Sequence, residues 1–270
     1  ILLESFIPRS DLQPENFKPF LKEFGFKSIN LETPAYGGYS AKSEFEILCG
    51  LPELQPFGDM TFNYLGGNEV NFCLPSLISK FNYKTKSITG TALHFHNAEN
   101  AYSSIGFDQS ISKKDLSLDD FDGRHPSDKT IFEKAYNEIL SKVDDKLFLY
   151  VFTAAGHVPY ALNKKNRPRL SDDLYFDRIT YTEQELKEFL TKLDMLNLET
   201  SIIILGDHAS DSSNLKSNNK LLNVWYRSNS LEDFDTNCSQ YFQIPKFFTN
   251  QKCKSIPKNG NHIVDRGKRF

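Results

Sequence analysis

The chain alternates between short apolar runs and longer segments whose apolar residues recur every three or four positions. ILLESF (residues 1–6), KLFLYVFTAA (146–155) and TSIIILGDH (200–208) are nearly continuous apolar runs that end in polar or small residues. A strand covered on both faces needs no polar alternation, so these runs predict interior strands. FKSINLE (26–32), KSITGTALHF (86–95) and LLNVWYRS (221–228) predict further strands of more mixed character. Between them, SAKSEFEILC (40–49), LPSLISKFNY (74–83), SDKTIFEKAYNEILSKV (127–143) and YTEQELKEFLTKLDMLN (181–197) carry helical spacing. The first sets Phe45, Leu48 and Cys49 on one face and stops at Gly50, a residue type that readily closes a helix. PENFKPFLKEFG (14–25) likewise predicts a helix, through Phe17, Phe20, Leu21 and Phe24, ending at Gly25.

Strands alternating with helices predict an α/β fold, a mostly parallel central sheet sandwiched by helices. After His208 the pattern weakens into the polar stretch ASDSSNLKSNNK, one more strand, and a tail rich in Lys, Asn and Gly. The chain therefore reads as one domain, residues 1–250, with a C-terminal extension, residues 251–270, of unclear role. At 270 residues such a domain can bury a large core. A net charge of −3, with no stripe of Lys and Arg, gives no reason to expect nucleic acid as a partner. No apolar run reaches the roughly 20 residues of a transmembrane helix. The sequence opens inside an apolar run and without Met, which suggests further chain upstream. The four cysteines form no C-x-x-C pair, so spacing gives little support to a thiolate zinc site or a dithiol redox centre. Cys49 with Cys73, and Cys238 with Cys253, could each close a loop in an oxidising compartment; otherwise all four are buried thiols.

Unusual polar residues gather where the strand runs end. Glu4 closes the first, Asp207 and His208 the last, and His157 follows the middle one in AAGHVPY. In an open α/β sheet ligands sit at the carboxyl ends of the strands, so these side chains can converge across about 200 residues of sequence. Ser40 follows two glycines in YGGYSAKSEFEILCG and heads a helix, where unpaired N–H groups favour an anion. One reading makes it an ordinary helix cap. The other makes it a fourth ligand and a nucleophile, its hydroxyl made acidic by a divalent metal held with Glu4, Asp207 and His208. Oxygen donors with a single imidazole suit Zn²⁺ or Mn²⁺.

LLESF, GGYSAKSEFEILCGLP and IIILGDH, in that order, resemble the extracytoplasmic catalytic domain of lipoteichoic acid synthases and related phosphoglycerol transferases. These belong to the alkaline phosphatase and sulfatase superfamily, and the resemblance covers roughly residues 1–208. It implies an alkaline phosphatase/sulfatase-like fold, with Ser40 at the nucleophile position usually held by threonine. It implies one divalent metal ion, Mn²⁺ or Zn²⁺ with Mg²⁺ also compatible, on Glu4, Ser40, Asp207 and His208. His157 and His94, in AAGHVPY and TALHFH, match the histidines that bind the phospho-substrate, and YSSIGFD (102–108) matches a further landmark. The implied activity moves a phospholipid headgroup, through a covalent phosphoserine, to a hydroxyl of a glycan or teichoic-acid-like polymer. Its setting is the outer side of a membrane reached through upstream transmembrane helices. Phosphoethanolamine transfer, phosphodiester hydrolysis on the same scaffold, and an inactive binding domain are the alternatives. Two departures matter. The stretch from His94 to Tyr102 is short and lacks the usual Trp and Arg, and the chain after His208 leaves the pattern, with His262 a weak further candidate. AKSE after Ser40 also lacks the proline and arginine of the C/S-x-P-x-R formylglycine motif, which argues against sulfate ester hydrolysis.

Overall fold

The computed structural model describes residues 1–35, 38–53, 61–66, 69–117, 121–122, 124–142, 145–160, 169, 171–210, 221–229, 235, 237–249 and 251–253. His262 and most of the expected extension, residues 254–270, lie outside the described residues. Nine strands are described: β1 (Leu2–Leu3), β2 (Lys27–Glu32), β3 (Lys84–Thr89), β4 (Gln109–Ile111), β5 (Phe121–Asp122), β6 (His125–Pro126), β7 (Leu147–Phe152), β8 (Ser201–Gly206) and β9 (Leu221–Ser228). Seven of them form one sheet in the order β2-β9-β8-β1-β7-β3-β4. From β8 through β4 all neighbours run parallel, whereas β9 is antiparallel to both β8 and β2. The sheet is thus mixed and mostly parallel, with its antiparallel part at one edge.

Apolar side chains leave this sheet on both faces. Leu2, Tyr150, Phe152, Ile203 and Leu205 join one buried cluster, while their chain neighbours Leu3, Val151, Ile202 and Ile204 join another. That two-residue alternation within all-apolar strands is the signature of a sheet covered on both sides. The described α-helices are the short α1 (Arg9–Leu12) and α3 (Thr61–Tyr64), then α2 (Ser40–Cys49), α4 (Leu74–Ser79), α5 (Ala98–Ser104), α6 (Asp128–Leu140), α7 (Leu174–Met195) and the short α8 (Pro245–Phe248). Helices α2 and α5 pack on the first face through Phe45, Leu48, Ala101 and Tyr102. Helices α6 and α7 pack on the second through Ile131, Phe132, Ile179, Leu186 and Phe189. Ser127 caps α6 by accepting from Thr130 N, and Asp173 caps α7 by accepting from Tyr175 N and Phe176 N. None of the described helices is long and apolar enough to cross a membrane.

Several expectations are corrected. Residues 14–25 do not form an α-helix. Only Phe20–Phe24 coil, as a 3₁₀ turn closed by Gly25 at φ 75°, because Pro14 and Pro19 supply no amide donors to a longer ladder. β3 ends at Thr89, so His94 belongs to the turn that follows and Phe95 opens a 3₁₀ turn, Phe95–Asn97, in place of the expected strand end. Helix α7 begins at Leu174, well before Tyr181, where Asp173 caps it, and the buried Asp177 and Arg178 of its first turns pair at 2.9 Å. Both cysteine pairs are bonded: Cys49–Cys73 and Cys238–Cys253 are disulfides.

Candidate active site

β1 is the middle strand, flanked by β7 and β8 in parallel register, so the carboxyl ends of all three open on the same side. Glu4 leaves β1 there, His157 follows β7, and Asp207 with His208 follows β8. Close approach of these three segments depends on two glycines. A Cβ on Gly156 would stand 1.9 Å from the Glu4 carbonyl oxygen, and one on Gly206 would stand 2.3 Å from that of Phe6. Backbone ties complete the junction: Glu4 N donates to Thr153 Oγ1 at 3.1 Å, and Asp207 N donates to Leu3 O at 3.2 Å.

Asp207 is fully buried. Its Oδ1 accepts from Ser5 N at 2.7 Å and from His208 N at 2.8 Å, while its carbonyl accepts from the hydroxyls of Thr33 and Ser43. The other carboxylate oxygen, Oδ2, is buried without a hydrogen-bond partner, 3.2 Å from His208 Nε2. His208 Nδ1 lies 3.1 Å from Ala209 O. A carbonyl only accepts, so Nδ1 carries a proton there, and Nε2 is the ring atom turned toward Glu4 Oε1, 3.8 Å away. Glu4, Asp207 and His208 thus offer ligand atoms within 4.8 Å of one another, all buried. Burial, and then the neighbouring Asp207 carboxylate, push the Glu4 carboxyl well above its usual range; hydrogen bonds from Ser5 and Ser40 oppose the rise. Two buried carboxylates and an unpartnered oxygen around one imidazole nitrogen are what a divalent cation would relieve, and the donor set fits such an ion.

Ser40 is the first residue of α2, and Tyr39 before it holds the N-cap position. The Ser40 Oγ lies 3.4 Å from Glu4 Oε2 and 3.5 Å from His208 Nε2. The preceding residue, Tyr39, is held at φ 67°, a conformation rare for a bulky side chain and of the kind that collects at functional turns.

These groups border a cavity of about 200 Å³ that also receives His157, His96 and Glu44. His157 Nδ1 sits 2.5 Å from Val158 O, which fixes the proton on Nδ1 and leaves Nε2 free to act. His125 packs against it, ring centroids 5.1 Å apart. His94 is not brought to the cavity; it is exposed on the loop after β3. His96 lines the wall in its place, because His96 and Asn97 both adopt left-handed conformations, φ 51° and 59°, that turn the chain. Asn97 holds this turn by donating to Leu65 O at 2.6 Å and Phe62 O at 3.2 Å. The second histidine of LHFH was the available signal for His96; for Glu44 it was the four-residue step from Ser40, one helical turn along the same face. A separate cleft of about 220 Å³ beside Phe6, Asp11 and Leu222 gathers no comparable set of ionisable groups.

The sulfatase family model matches residues 7–247. A Rhizobium meliloti (strain 1021) protein named for cyclic beta-1,2-glucan modification is 26% identical over 218 residues, covering 75% of this chain and 33% of its own length. The chain spans about a third of the length of the curated relatives it matches. Among solved structures, the lipoteichoic acid synthase LtaP of Listeria monocytogenes superposes with TM-score 0.70 at 17% identity, over 83% of this chain and 63% of that one. The Streptococcus pyogenes phosphoglycerol transferase GacH, in complex with sn-glycerol-1-phosphate, superposes with TM-score 0.64 at 18% identity, over 96% of this chain and 80% of that one.

Proposed function

The chain belongs to the sulfatase family, and from that premise we propose that it is a metal-dependent phosphotransferase that moves a phosphoglycerol headgroup from a phospholipid to a hydroxyl of a glycan or related polymer. The observation that carries this reading is the placement of Ser40 Oγ, within 3.5 Å of both Glu4 Oε2 and His208 Nε2. In the first step Ser40 Oγ attacks phosphorus, the bond from phosphorus to the diacylglycerol oxygen breaks, and that oxygen takes up a proton. In the second an acceptor hydroxyl attacks the phosphoserine, the Oγ–phosphorus bond breaks, and the acceptor's proton is released. Glu4, Asp207, His208 and Ser40 would hold one Mn²⁺ or Zn²⁺ ion, which supplies Lewis acidity to the serine hydroxyl and the phosphoryl group. The ring of His157, its Nδ1–H held by Val158 O, would act as an imidazolium and donate from Nε2 to a non-bridging phosphoryl oxygen as charge builds there. The amide groups at the start of α2 face the same charge.

The acceptor and the outer side of a membrane are read from the kinds of protein whose folds resemble this one. Two disulfides support the extracytoplasmic placement, since such bonds persist in oxidising compartments. The decisive experiment exposes the metal-loaded protein to phosphatidylglycerol and measures its intact mass. A gain equal to phosphoglycerol, located by peptide mapping on Ser40 and absent in Ser40→Ala, is expected. An adduct on another residue, or full turnover by Ser40→Ala, ends the covalent-serine reading.

A further inference from the structure

Glu44 is the one buried acid of the cavity that the transfer steps leave idle. It sits one turn below Ser40 on α2, is only 6% exposed, and forms part of the cavity wall. Both of its hydrogen bonds go to the same oxygen: Tyr150 OH donates to Oε1 at 2.9 Å, and Tyr102 OH donates to Oε1 more closely still. Oε2 has no hydrogen-bond partner among the described residues, and yet it is not sealed from solvent. The same cavity is lined by Phe62, Ala98, Tyr102 and Phe152. The neighbouring acids Asp207 and Glu4 interact with Glu44 as like charges. A carboxylate held rigid by two phenols on one oxygen, with the other oxygen facing a small cavity between aromatic side chains, is an acceptor built for a ligand's hydrogen-bond donor.

We infer that Glu44 Oε2 accepts a hydrogen bond from a hydroxyl of the headgroup being transferred, and so selects substrates whose phosphate carries a hydroxyl-bearing substituent. The inference takes the identity of its ligand from the phosphotransferase reading and adds the residue that recognises the group beyond phosphorus. Glu4, Asp207 and His208 are anchored at the strand ends on the phosphate side. Glu44 approaches from α2, one turn away from the attacking oxygen, which is about the reach of a three-carbon polyol. A site built around such a bond discriminates against an analogue lacking the donor, because the buried acceptor is then left unpaired.

Calorimetric binding to the Mn²⁺-loaded protein at pH 8.5, above the value of about 7 to which burial raises the Glu44 carboxyl, tests this with three probes: glycerol 1-phosphate, phosphoethanolamine and methyl phosphate. The wild type is expected to bind glycerol 1-phosphate roughly 10- to 100-fold more tightly than methyl phosphate, the range of a hydrogen bond to a charged group. In Glu44→Gln that ratio should fall by about tenfold, with methyl phosphate affinity and metal content unchanged. Tyr150→Phe, which removes a donor to Oε1 only, should keep most of the ratio; a loss as large as that of Glu44→Gln would make Glu44 a structural tie and overturn the inference. Equal binding of glycerol 1-phosphate and methyl phosphate by the wild type would overturn it even if Glu44→Gln fails to fold. Tighter binding of phosphoethanolamine than of glycerol 1-phosphate would replace the hydroxyl by an ammonium, and loss of metal in Glu44→Gln would make the residue a ligand. Selective binding without any lipid-derived adduct on Ser40 would sink the transferase reading and leave the role of Glu44 standing.

Discussion

Residue by residue, the proposed mechanism separates groups that hold charge from groups that act on it. Asp207 has one oxygen committed to two backbone amides and the other buried without a hydrogen-bond partner, the oxygen the proposed ion would take. Asp207→Ala is therefore expected to abolish metal occupancy in elemental analysis as well as turnover. His157 reaches the cavity from a different strand end, and its Nδ1 is already engaged by Val158 O. His157→Ala should keep the metal while turnover drops by about 10²-fold, the scale of a lost charge-stabilising donor; a metal-free variant would make it a ligand instead. Glu44 offers a third test, one of stability. Burial raises its carboxyl from 4.5 to about 7, against the lowering effect of the hydrogen bonds from Tyr102 and Tyr150 and with a further rise from Asp207. Between those values the folded protein holds a proton that the unfolded chain has lost, so stability falls as pH rises through the window and is insensitive to Glu44 below it. The total is on the order of 3 kcal/mol. In the presence of chelator, the melting temperature of Glu44→Gln should gain on that of the wild type from pH 5 to pH 8; a constant difference would refute the shift. Glu4, Asp207, His208 and His157 were legible in the sequence because each follows an apolar run. His96 was not, since only a left-handed backbone at two successive residues turns it inward past His94, and spacing cannot announce that.

At the scale of elements, the buried strands, the longer helices and the mostly parallel sheet could be read, and the exact extent of each element and the direction of the edge strands could not. LFLYVF and SIIILG announce buried strands by composition, and both occur as β7 and β8. The run ILLESF shrinks to two strand residues because Ser5 turns at φ 50°, and that turn is what frees Glu4 from the ladder. β4 escaped notice because three residues are too few to display a period. Nothing in the periodicity of LLNVWYRS distinguishes an antiparallel β9 from a parallel one. The junction of β1 with its neighbours rests on space as much as on hydrogen bonds, and Gly156→Ala probes it directly. The added methyl has no room beside the Glu4 carbonyl, so the strand end or the loop after β7 must shift, at about 1–3 kcal/mol for overpacking. Metal affinity should fall together with stability, because Glu4 is moved. Gly66→Ala is the control, since a Cβ there meets nothing within 4 Å. Equal metal affinity in the two variants would show that the close approach of Gly156 does not place Glu4.

For the whole molecule, the sheet order converts distant sequence into neighbouring chemistry, and the two disulfides pin what the sheet does not. β1 lies between β7 and β8, so residues 4, 157 and 208 meet although the chain wanders far between them. Helix α2 brings Ser40 over that junction, and its far end is bonded through Cys49 to Cys73, just ahead of α4. The loop closed by this bond, 24 residues in separation, contains Phe62, which lines the cavity and whose carbonyl is gripped by Asn97. Cys238–Cys253 closes a separation of 15 residues near the end of the described chain, and neither cysteine borders the cavity. Loop closure by either bond removes unfolded-state entropy worth roughly 3 kcal/mol, or about 5 °C in melting temperature for a chain of this length. Replacing both cysteines of either pair by serine should thus lower the melting temperature by similar amounts. Function should separate the pairs. Loss of Cys49–Cys73 loosens one wall of the cavity and should weaken glycerol 1-phosphate binding beyond any change in metal content. Loss of Cys238–Cys253 should leave that binding within about twofold of wild type when measured well below the melting transition. Equal binding losses in the two double variants would mean that the wall carrying Phe62 is held by packing alone, with Asn97 and the Phe45 and Tyr102 rings sufficient to fix it.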